Sequence, residues 1–256
     1  MEDNPKSKIC GYNETSIYIR EKNLCEDLIG KQSFTEFAFY LILGEEPNEK
    51  QRSIVDACLV TIAEHGLSPS AIVSRMTLMG APESLQGAVA AGLLGVGDVF
   101  VGTVETTAPL LQEIVASEDD YPETAKRIVN RLRAEKKTVP GFGQPHHKPD
   151  DPRPAAIFRV AEEAGASGDH TKALRALSEQ VDEAMGRHIT INAPGAISAA
   201  FLDVGIPPQI MRGFMLIARC AGLCAHLLEE QTSVKAGKTL WVASTAALPY
   251  EGVDLS

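Results

Sequence analysis

The 256-residue sequence has few aromatic residues and few cysteines. Aromatic side chains make up only 5% of the chain, so small aliphatic side chains must fill the core that a 44% hydrophobic composition allows. The five cysteines are odd in number and scattered, and no CxxC pair occurs. We therefore expect reduced cysteines that act as small buried hydrophobic residues in a cytoplasmic protein, rather than a disulfide framework.

Positive charge and long apolar runs are also scarce. The net charge of −10 argues against nucleic acid as a partner, because phosphate binding needs a basic surface. No apolar run approaches the roughly 20 residues that span a bilayer. The polar start at 1–6 lacks the apolar stretch of a secretory signal. A local basic pocket for an anionic cofactor remains compatible with this composition.

What the sequence does contain is helical periodicity. Alternation over 15–20 predicts one short strand or an extended arm, and no sustained alternation follows. Capping residues, glycines and prolines divide the rest into about ten helices, so the predicted class is all-α, with an irregular tail at 235–256 that reaches over the body or a partner subunit. The predicted helices are 33–43, 47–66, 68–80, 83–97, 102–117, 122–137, 154–166, 171–187, 196–203 and 207–230.

The segment 139–153, VPGFGQPHHKPDDPR, lies between two helical patterns. Its glycines let backbone approach a ligand closely, and the three prolines that follow stiffen it. The amide of Gln144 can donate to an oxyanion, and Arg153 can bind a carboxylate through two parallel N–H bonds. The alternative is a plain surface linker.

Two further residues are candidates for chemistry. His65 follows an apolar helix, where it either caps the helix end or donates to an anionic or carbonyl substrate. Arg219 lies in an apolar helix, where a buried charge needs a partner. That partner is either a ligand carboxylate or a structural pair with Asp203 or Glu229.

The adjacent histidines His146 and His147 point in different directions, so we expect one to face the ligand and the other the surface. A metal site is not expected, because no cysteine or carboxylate lies at ligand spacing from them. The motifs GxGxxG, GxSxG and HExxH and the P-loop are all absent, which argues against the nucleotide-binding and hydrolytic classes that carry them.

Four segments together resemble the citrate synthase superfamily, specifically its short citryl-CoA lyase type. They are 58–70, 90–100, 139–143 with the loop end at 151–153, and 217–222. Their order and separations match over roughly 15–230. The resemblance implies C–C bond chemistry between acetyl-CoA and a 2-oxo acid through an enolate of the thioester. It implies no metal or redox cofactor beyond coenzyme A as part of the substrate.

The resemblance also implies a citrate synthase-like fold with a large and a small helical domain closing over a cleft. The large domain would comprise 1–120 and 191–256, and the small domain 121–190. Packed helices would join two copies into a homodimer, or four into a homotetramer.

Individual roles follow from the same resemblance. His65 matches the histidine that holds the oxo acid, and Arg153 and Arg219 match arginines that bind its carboxylates. The backbone expected to meet the CoA adenine comprises Val139, Pro140, Gly141, Phe142 and Gly143.

Several positions depart from the family pattern. Gln144 stands where the family has a catalytic histidine, and Pro194 where it has a catalytic aspartate. Phe100 stands where synthases place a second histidine. The tail offers lysines but no arginine for a third carboxylate.

The sequence therefore predicts a divergent lyase that cleaves a 3-hydroxyacyl-CoA, similar to citryl-CoA, into acetyl-CoA and an oxo acid or ketone. Its catalytic residues would be His65, Gln144 and His147, with Asp98 as a further titratable group nearby. The alternative is a non-catalytic protein that keeps the fold and binds an acyl-CoA or a carboxylate.

Overall fold

The computed structural model describes residues 6–248 and 251–252. The chain begins with a small antiparallel sheet in the order β1 (Cys10–Tyr12), β2 (Ile17–Ile19) and β3 (Lys22–Asn23), followed by a short π-helix, Leu24–Leu28. The strand predicted at 15–20 is present as β2. Arg20 fastens this sheet to the body, because its Nε and Nη2 donate to the carbonyl of Leu41 at 3.1 and 2.9 Å.

Helices dominate the rest of the described chain, which confirms the all-α prediction. All ten predicted helices are present, and an eleventh that was not predicted follows them. In chain order they are α1 (Phe34–Leu43), α2 (Glu49–Ala63), α3 (Pro69–Gly80), α4 (Leu85–Leu94), α5 (Thr103–Ala116), α6 (Tyr121–Ala134), α7 (Pro152–Glu163), α8 (Asp169–Met185), α9 (Ala193–Asp203), α10 (Pro208–Thr232) and the additional α11 (Ala236–Ala247).

Helix starts follow capping chemistry. Ser33 and Glu36 form the predicted capping box, in which each side chain accepts from the other residue's backbone N–H. A second box joins Asn48 and Gln51, so α2 begins two residues later than the predicted start at Pro47.

The prediction of an irregular tail is wrong, because α11 occupies most of it. Tertiary contacts hold the start of α11. Glu230 on α10 accepts the N–H of Gly237 at 3.0 Å. A Cβ on Gly237 would lie 3.1 Å from the carbonyl oxygen of Arg75 on α3. The helix therefore depends on close packing that no local pattern reveals.

The prediction of buried cysteines is partly wrong. All five are free thiols, but Cys10, Cys25 and Cys224 are exposed. Cys58 is buried in the core, and this burial raises the pKa of its thiol.

One continuous hydrophobic cluster joins α1, α2 and α5–α10. At its centre the ring of Phe214 lies 6.5 Å from that of Phe39 and 5.7 Å from that of Phe201. A smaller cluster of Leu78, Ala88 and Leu227 joins α3, α4 and α10. The main cluster draws on 1–120, 121–190 and 191–256 alike, and the division into two domains stays a prediction.

Among the described residues, α10 is long and apolar enough to cross a membrane by length and composition. This is weak evidence, because a core helix passes the same test. Met211, Phe214 and Leu223 of α10 are fully buried within the protein, as in a core helix.

Candidate active site

A cleft of about 710 Å³ brings together four of the residues singled out from the sequence, His65, Gln144, Arg153 and Arg219. Its walls come from the segment between α2 and α3, the segment between α4 and α5, the loop at 139–153 and the start of α9. Arg219 on α10 completes the lining. His65 and Arg219, which are 154 positions apart in the sequence, thus meet at one site.

The loop at 139–153 is pinned to the segment that leads into α9. The N–H of Gly143 donates to the carbonyl of Thr190 at 2.8 Å, and the N–H of Asn192 donates to the carbonyl of Gly141 at 3.0 Å. At the other end, the N–H of Asp151 donates to the hydroxyl of Thr190 at 2.9 Å. The plain-linker interpretation is wrong, because these bonds hold the loop against the cleft.

Gly141 permits a close contact within the protein. Its φ is +89°, and a Cβ there would lie 2.9 Å from Thr107 Oγ1. A Cβ on Gly195 of α9 would in turn lie 2.5 Å from the carbonyl oxygen of Gly141. The expected close approach is therefore to protein backbone at Gly141.

Of the five residues assigned to the CoA adenine, only Gly143 lines the cleft. Val139 and Phe142 pack against the main hydrophobic cluster, and Gly141 is buried. The adenine assignment of this segment stays a prediction.

Arg219 is a buried guanidinium with unused donors at the cleft. It is 3% exposed, and its Nε and Nη1 make no hydrogen bond to any described residue. The nearest carboxylate is Glu64, whose Oε2 lies 3.9 Å from Nη1. Burial lowers the pKa of Arg219 and the charge of Glu64 partly offsets this, so the guanidinium lacks the close partner that a buried charge needs.

The structural pair proposed for Arg219 is wrong for both candidates. Asp203 instead holds the start of α8, where it accepts from the N–H of Gly168 at 2.8 Å and from the hydroxyl of Thr171 at 2.6 Å. Glu229 contacts Arg75.

Arg153 is already engaged by a carboxylate of its own loop. Its Nε and Nη2 donate to the two oxygens of Asp151 at 2.9 and 2.7 Å. Burial raises the pKa of Asp151, but the hydrogen bonds from Arg153 outweigh burial and hold that pKa below its usual range. Nη1 of Arg153 makes no hydrogen bond within the described chain and remains a donor beside the cleft.

His65 contacts His147. The two Nε2 atoms lie 2.9 Å apart, so one ring donates and the other must accept with a bare nitrogen. Burial, followed by the positive charge of Arg153, lowers the pKa of His65 and favours its neutral form. His65 is the residue after the C-cap of α2, and its Nε2 contacts His147, so the structure shows no capping bond from Nε2 and the helix-cap interpretation gains no support.

His146 and His147 both lie beside His65, contrary to the expectation that they point apart. The ring of His146 is 6.1 Å from that of His65, and the ring of His147 is 5.2 Å away. His146 is the exposed one and lines the mouth of the cleft, whereas His147 is half-buried.

Gln144 and Pro194 place no ionisable side chain at their two positions in the cleft. The side-chain oxygen of Gln144 accepts the backbone N–H groups of His146 and His147, which leaves its amide N–H₂ as the group that can donate. Pro194 lies in the first turn of α9 and lines the cleft, so no carboxylate stands there. No cluster of three or more His, Cys, Asp or Glu side chains suited to a metal ion occurs in 6–248 and 251–252.

Sequence reasoning missed a polar cluster next to Arg219. Arg75 on α3 is 2% exposed and contacts His226, Glu229 and Glu230 on α10. His226 and Glu230 are four residues apart on α10 and therefore lie on one face of that helix. This spacing could have predicted that they contact the same residue. Glu64 directly precedes His65 and links this cluster to the cleft.

Comparison with known proteins identifies the family of this chain. A profile of the family described as "Citrate synthase, C-terminal domain" matches residues 12–240. Citrate synthase from Synechocystis sp. is 28% identical over 222 residues, which is 84% of this chain and 54% of that protein. Citrate synthase from Haloferax volcanii is 27% identical over 197 residues, 75% of this chain and 50% of that protein. The chain thus spans about half the length of these curated relatives.

Solved structures share the whole fold. Citryl-CoA lyase from Hydrogenobacter thermophilus superposes with a TM-score of 0.85 at 29% identity, covering 99% of this chain and 97% of that one. ATP citrate lyase from Methanosaeta concilii, in complex with (3S)-citryl-CoA, has a TM-score of 0.82 at 18% identity over 100% of this chain and 43% of that one. The second likeness concerns the fold alone. The citrate synthase-like fold predicted from the sequence is confirmed, and the chain belongs to the citrate synthase family.

Proposed function

We propose that the cleft binds the CoA thioester of a carboxylated 3-hydroxy acid and breaks its C–C bond to give acetyl-CoA and an oxo acid or ketone. The observation that carries this proposal is Arg219. A guanidinium that is 3% exposed, with Nε and Nη1 unpaired in the described chain, is costly unless a ligand carboxylate fills the place beside it. Arg153, which also lines the cleft, adds the donors of Nη1.

Cleavage requires two proton transfers. A base takes the hydroxyl proton while the C–O bond becomes a carbonyl. The C–C electron pair passes into the enolate of the thioester, and the enolate carbon then accepts a proton. Because the pKa of His65 is lowered, the His65–His147 pair contains a neutral ring nitrogen that can accept the first proton.

Gln144 and Pro194 limit how the second transfer occurs. The amide N–H₂ of Gln144 can donate a hydrogen bond to the oxygen that becomes the carbonyl, but it supplies no proton. Pro194 has no ionisable group. We therefore assign protonation of the enolate to the histidine pair or to water, and no cofactor beyond coenzyme A is required.

A second function is favoured by the same two residues. Loss of a positioned general acid or base typically costs about 10²–10⁴-fold in rate. A protein that keeps Arg219 and Arg153 but has Gln144 and Pro194 in place of acid–base groups could bind an acyl-CoA or a carboxylate without turnover.

One experiment separates these functions. The protein is incubated with the CoA thioesters of citrate, citramalate and 3-hydroxy-3-methylglutarate, while binding and the release of acetyl-CoA are both measured. Release supports the lyase, binding without release supports the binding protein, and absence of both contradicts the two together. In Gln144→His, a gain of citryl-CoA cleavage would support a family-like geometry around position 144.

Association of two or four copies is part of the proposal, as is a cytoplasmic location. Apolar side chains remain exposed on several helices, among them Leu94 at 87%, Leu228 at 60% and Trp241 at 56%. Exposed apolar surface of this kind supports a partner subunit.

A further inference from the structure

We infer that Glu64 is the internal counter-ion of Arg219, and that its carboxylate turns away from Arg219 to complete a hydrogen bond with His226 when a ligand carboxylate binds the guanidinium. This inference rests on the proposed function only for the role of Arg219 as a carboxylate-binding group. Glu64 follows the last residue of α2 and precedes His65, so it lies between the cleft and the polar cluster on α10.

Glu64 is loosely held at the Arg219 side. Its Oε2 lies 3.9 Å from Arg219 Nη1, beyond hydrogen-bond length, and its side chain is 43% exposed. Its Oε1 accepts the backbone N–H of His65 at 2.8 Å. The carboxylate therefore supplies charge to Arg219 without occupying the hydrogen-bond donors.

His226 provides the hydrogen-bond donor towards which the Glu64 carboxylate can turn. Arg75 donates from Nε to His226 Nδ1 at 3.0 Å, so Nδ1 is the acceptor and the proton of the neutral ring is on Nε2. This Nε2 lies 2.9 Å from Glu64 Oε1, yet the alignment is not that of a hydrogen bond and Nε2 has no hydrogen-bond partner in the described chain. A small rotation of the Glu64 carboxylate would complete this bond.

A close backbone contact between α2 and α10 holds Glu64 near both Arg219 and His226. Gly222 of α10 presses against the end of α2, where a Cβ would lie 1.9 Å from the carbonyl oxygen of Ala63 and 3.0 Å from Glu64 Oε2. Arg219 and His226 stand three residues before and four after Gly222, on the same face of α10. The close contact therefore presents both groups to one carboxylate.

Arg219 and His226 each lack a hydrogen-bond partner at one or more nitrogens in the described chain, and the carboxylate of Glu64 lies near both. With the cleft empty, Glu64 offsets part of the charge of Arg219. With a ligand carboxylate on Arg219, repulsion turns the Glu64 carboxylate away from Arg219, and Nε2–H of His226 donates a hydrogen bond to it. Glu64 is therefore a positioning residue, because its charge determines how readily the guanidinium of Arg219 binds an anion.

The test uses malonate, a small dicarboxylate that needs no CoA site, and measures its affinity by calorimetry. Glu64→Gln keeps an oxygen for the His65 N–H but removes the charge. We expect it to bind malonate about threefold to tenfold more tightly than the wild type, while the empty protein melts at a lower temperature. A purely structural role would lower the melting temperature and leave the affinity unchanged, and that result would overturn the inference.

His226 supplies the second arm. His226→Phe removes the donor towards which the Glu64 carboxylate turns, so we expect malonate to bind about threefold more weakly. His226→Gln, which can still accept from Arg75 and donate to Glu64, should restore the affinity. In the Glu64→Gln background the effect of His226→Phe should vanish.

An equal effect of His226→Phe in both backgrounds would contradict the inference, and so would absence of malonate binding in Glu64→Gln. A protein that binds malonate but no CoA thioester would overturn the proposed function and leave this inference standing.

Discussion

Two buried arginines in this protein have opposite surroundings. Arg75 is paired with Glu230 at 2.9 Å, with Glu229 and with His226. Among the described residues, the one carboxylate near Arg219 is that of Glu64, whose Oε2 lies 3.9 Å from Nη1. Because a buried charge persists only where it is paired or used, we infer that Arg75 is a structural residue and that Arg219 serves ligand binding.

This contrast predicts opposite effects of the same substitution. Arg219→Met removes a poorly paired charge, so the free energy of unfolding should stay level or rise while binding of a carboxylate is lost. Arg75→Met leaves Glu230 buried without its partner, and it should lower the free energy of unfolding by about 3–5 kcal/mol. Urea unfolding of both variants measures this. A large loss of stability in Arg219→Met would show that Arg219 is structural.

The lowered pKa of His65 predicts a pH dependence of stability. Below pH 6.5 the unfolded chain binds a proton at His65 more readily than the folded protein, so the free energy of unfolding should fall as the pH drops from 7.5 to 5.5. His188, whose pKa Asp182 and Asp150 raise, contributes with the opposite sign.

Comparison with His65→Gln isolates the contribution of His65. Urea unfolding at pH 7.5, 6.5 and 5.5 should show that the free energy of unfolding falls less steeply with decreasing pH in the variant than in the wild type. An unchanged slope would mean that His65 titrates in the folded protein as it does in the unfolded chain.

At the scale of elements, capping residues and helical periodicity predicted ten helices. The helix that they did not predict, α11, depends on tertiary contacts. The capping box of Ser33 and Glu36 is a signal within four residues, and α1 starts where it predicts. For α11, the deciding contacts join Gly237 to Glu230 and Arg75, which lie on other helices. A single sequence carries no record of which helices pack together.

The same limit applies to the site. The chemistry of His65, Arg153 and Arg219 in their local sequence marked them as candidates, the family resemblance suggested their roles, and the structure brings all three to one cleft. Glu64 and His226 were missed, since their approach depends on the contact between α2 and α10 at Gly222. The pairing of Arg153 with Asp151 was also missed, although the two residues are only two positions apart.

Substitution of Gly222 tests the contact between α2 and α10. In Gly222→Ala, the added Cβ would meet the carbonyl of Ala63, so α10 must shift away from α2. We expect a loss of about 1–3 kcal/mol in the free energy of unfolding, together with weaker carboxylate binding. Gly80→Ala at the end of α3, where a Cβ meets nothing within 4 Å, is the matched control and should leave both nearly unchanged. Equal behaviour of the two variants would contradict the role of the close contact.

At the scale of the whole molecule, the cleft exists because helices from both ends of the chain share one core. The main hydrophobic cluster runs from Phe39 to Ala218, and the cleft lies where the loop at 139–153 crosses between α9 and the end of α2. The full-length match to a citryl-CoA lyase, at a TM-score of 0.85, shows that this arrangement is shared as a whole.

Exposed apolar side chains lead to a prediction about assembly. Sedimentation equilibrium at micromolar concentration should give the mass of two or four chains. Replacing the half-exposed Trp241 of α11 by Glu tests whether this helix contributes, in which case the mass should fall. A single-chain mass for the wild type would contradict the expected association.

The central claim is that Arg219 binds the carboxylate of a CoA thioester in the cleft. The most direct measurement is a calorimetric titration of the wild type and of Arg219→Met with citryl-CoA. We predict that the wild type binds and that the variant loses at least about tenfold in affinity, because a charge-assisted hydrogen bond contributes about 1.5–3 kcal/mol. Equal affinity in the two proteins, or no binding by the wild type, would contradict the claim.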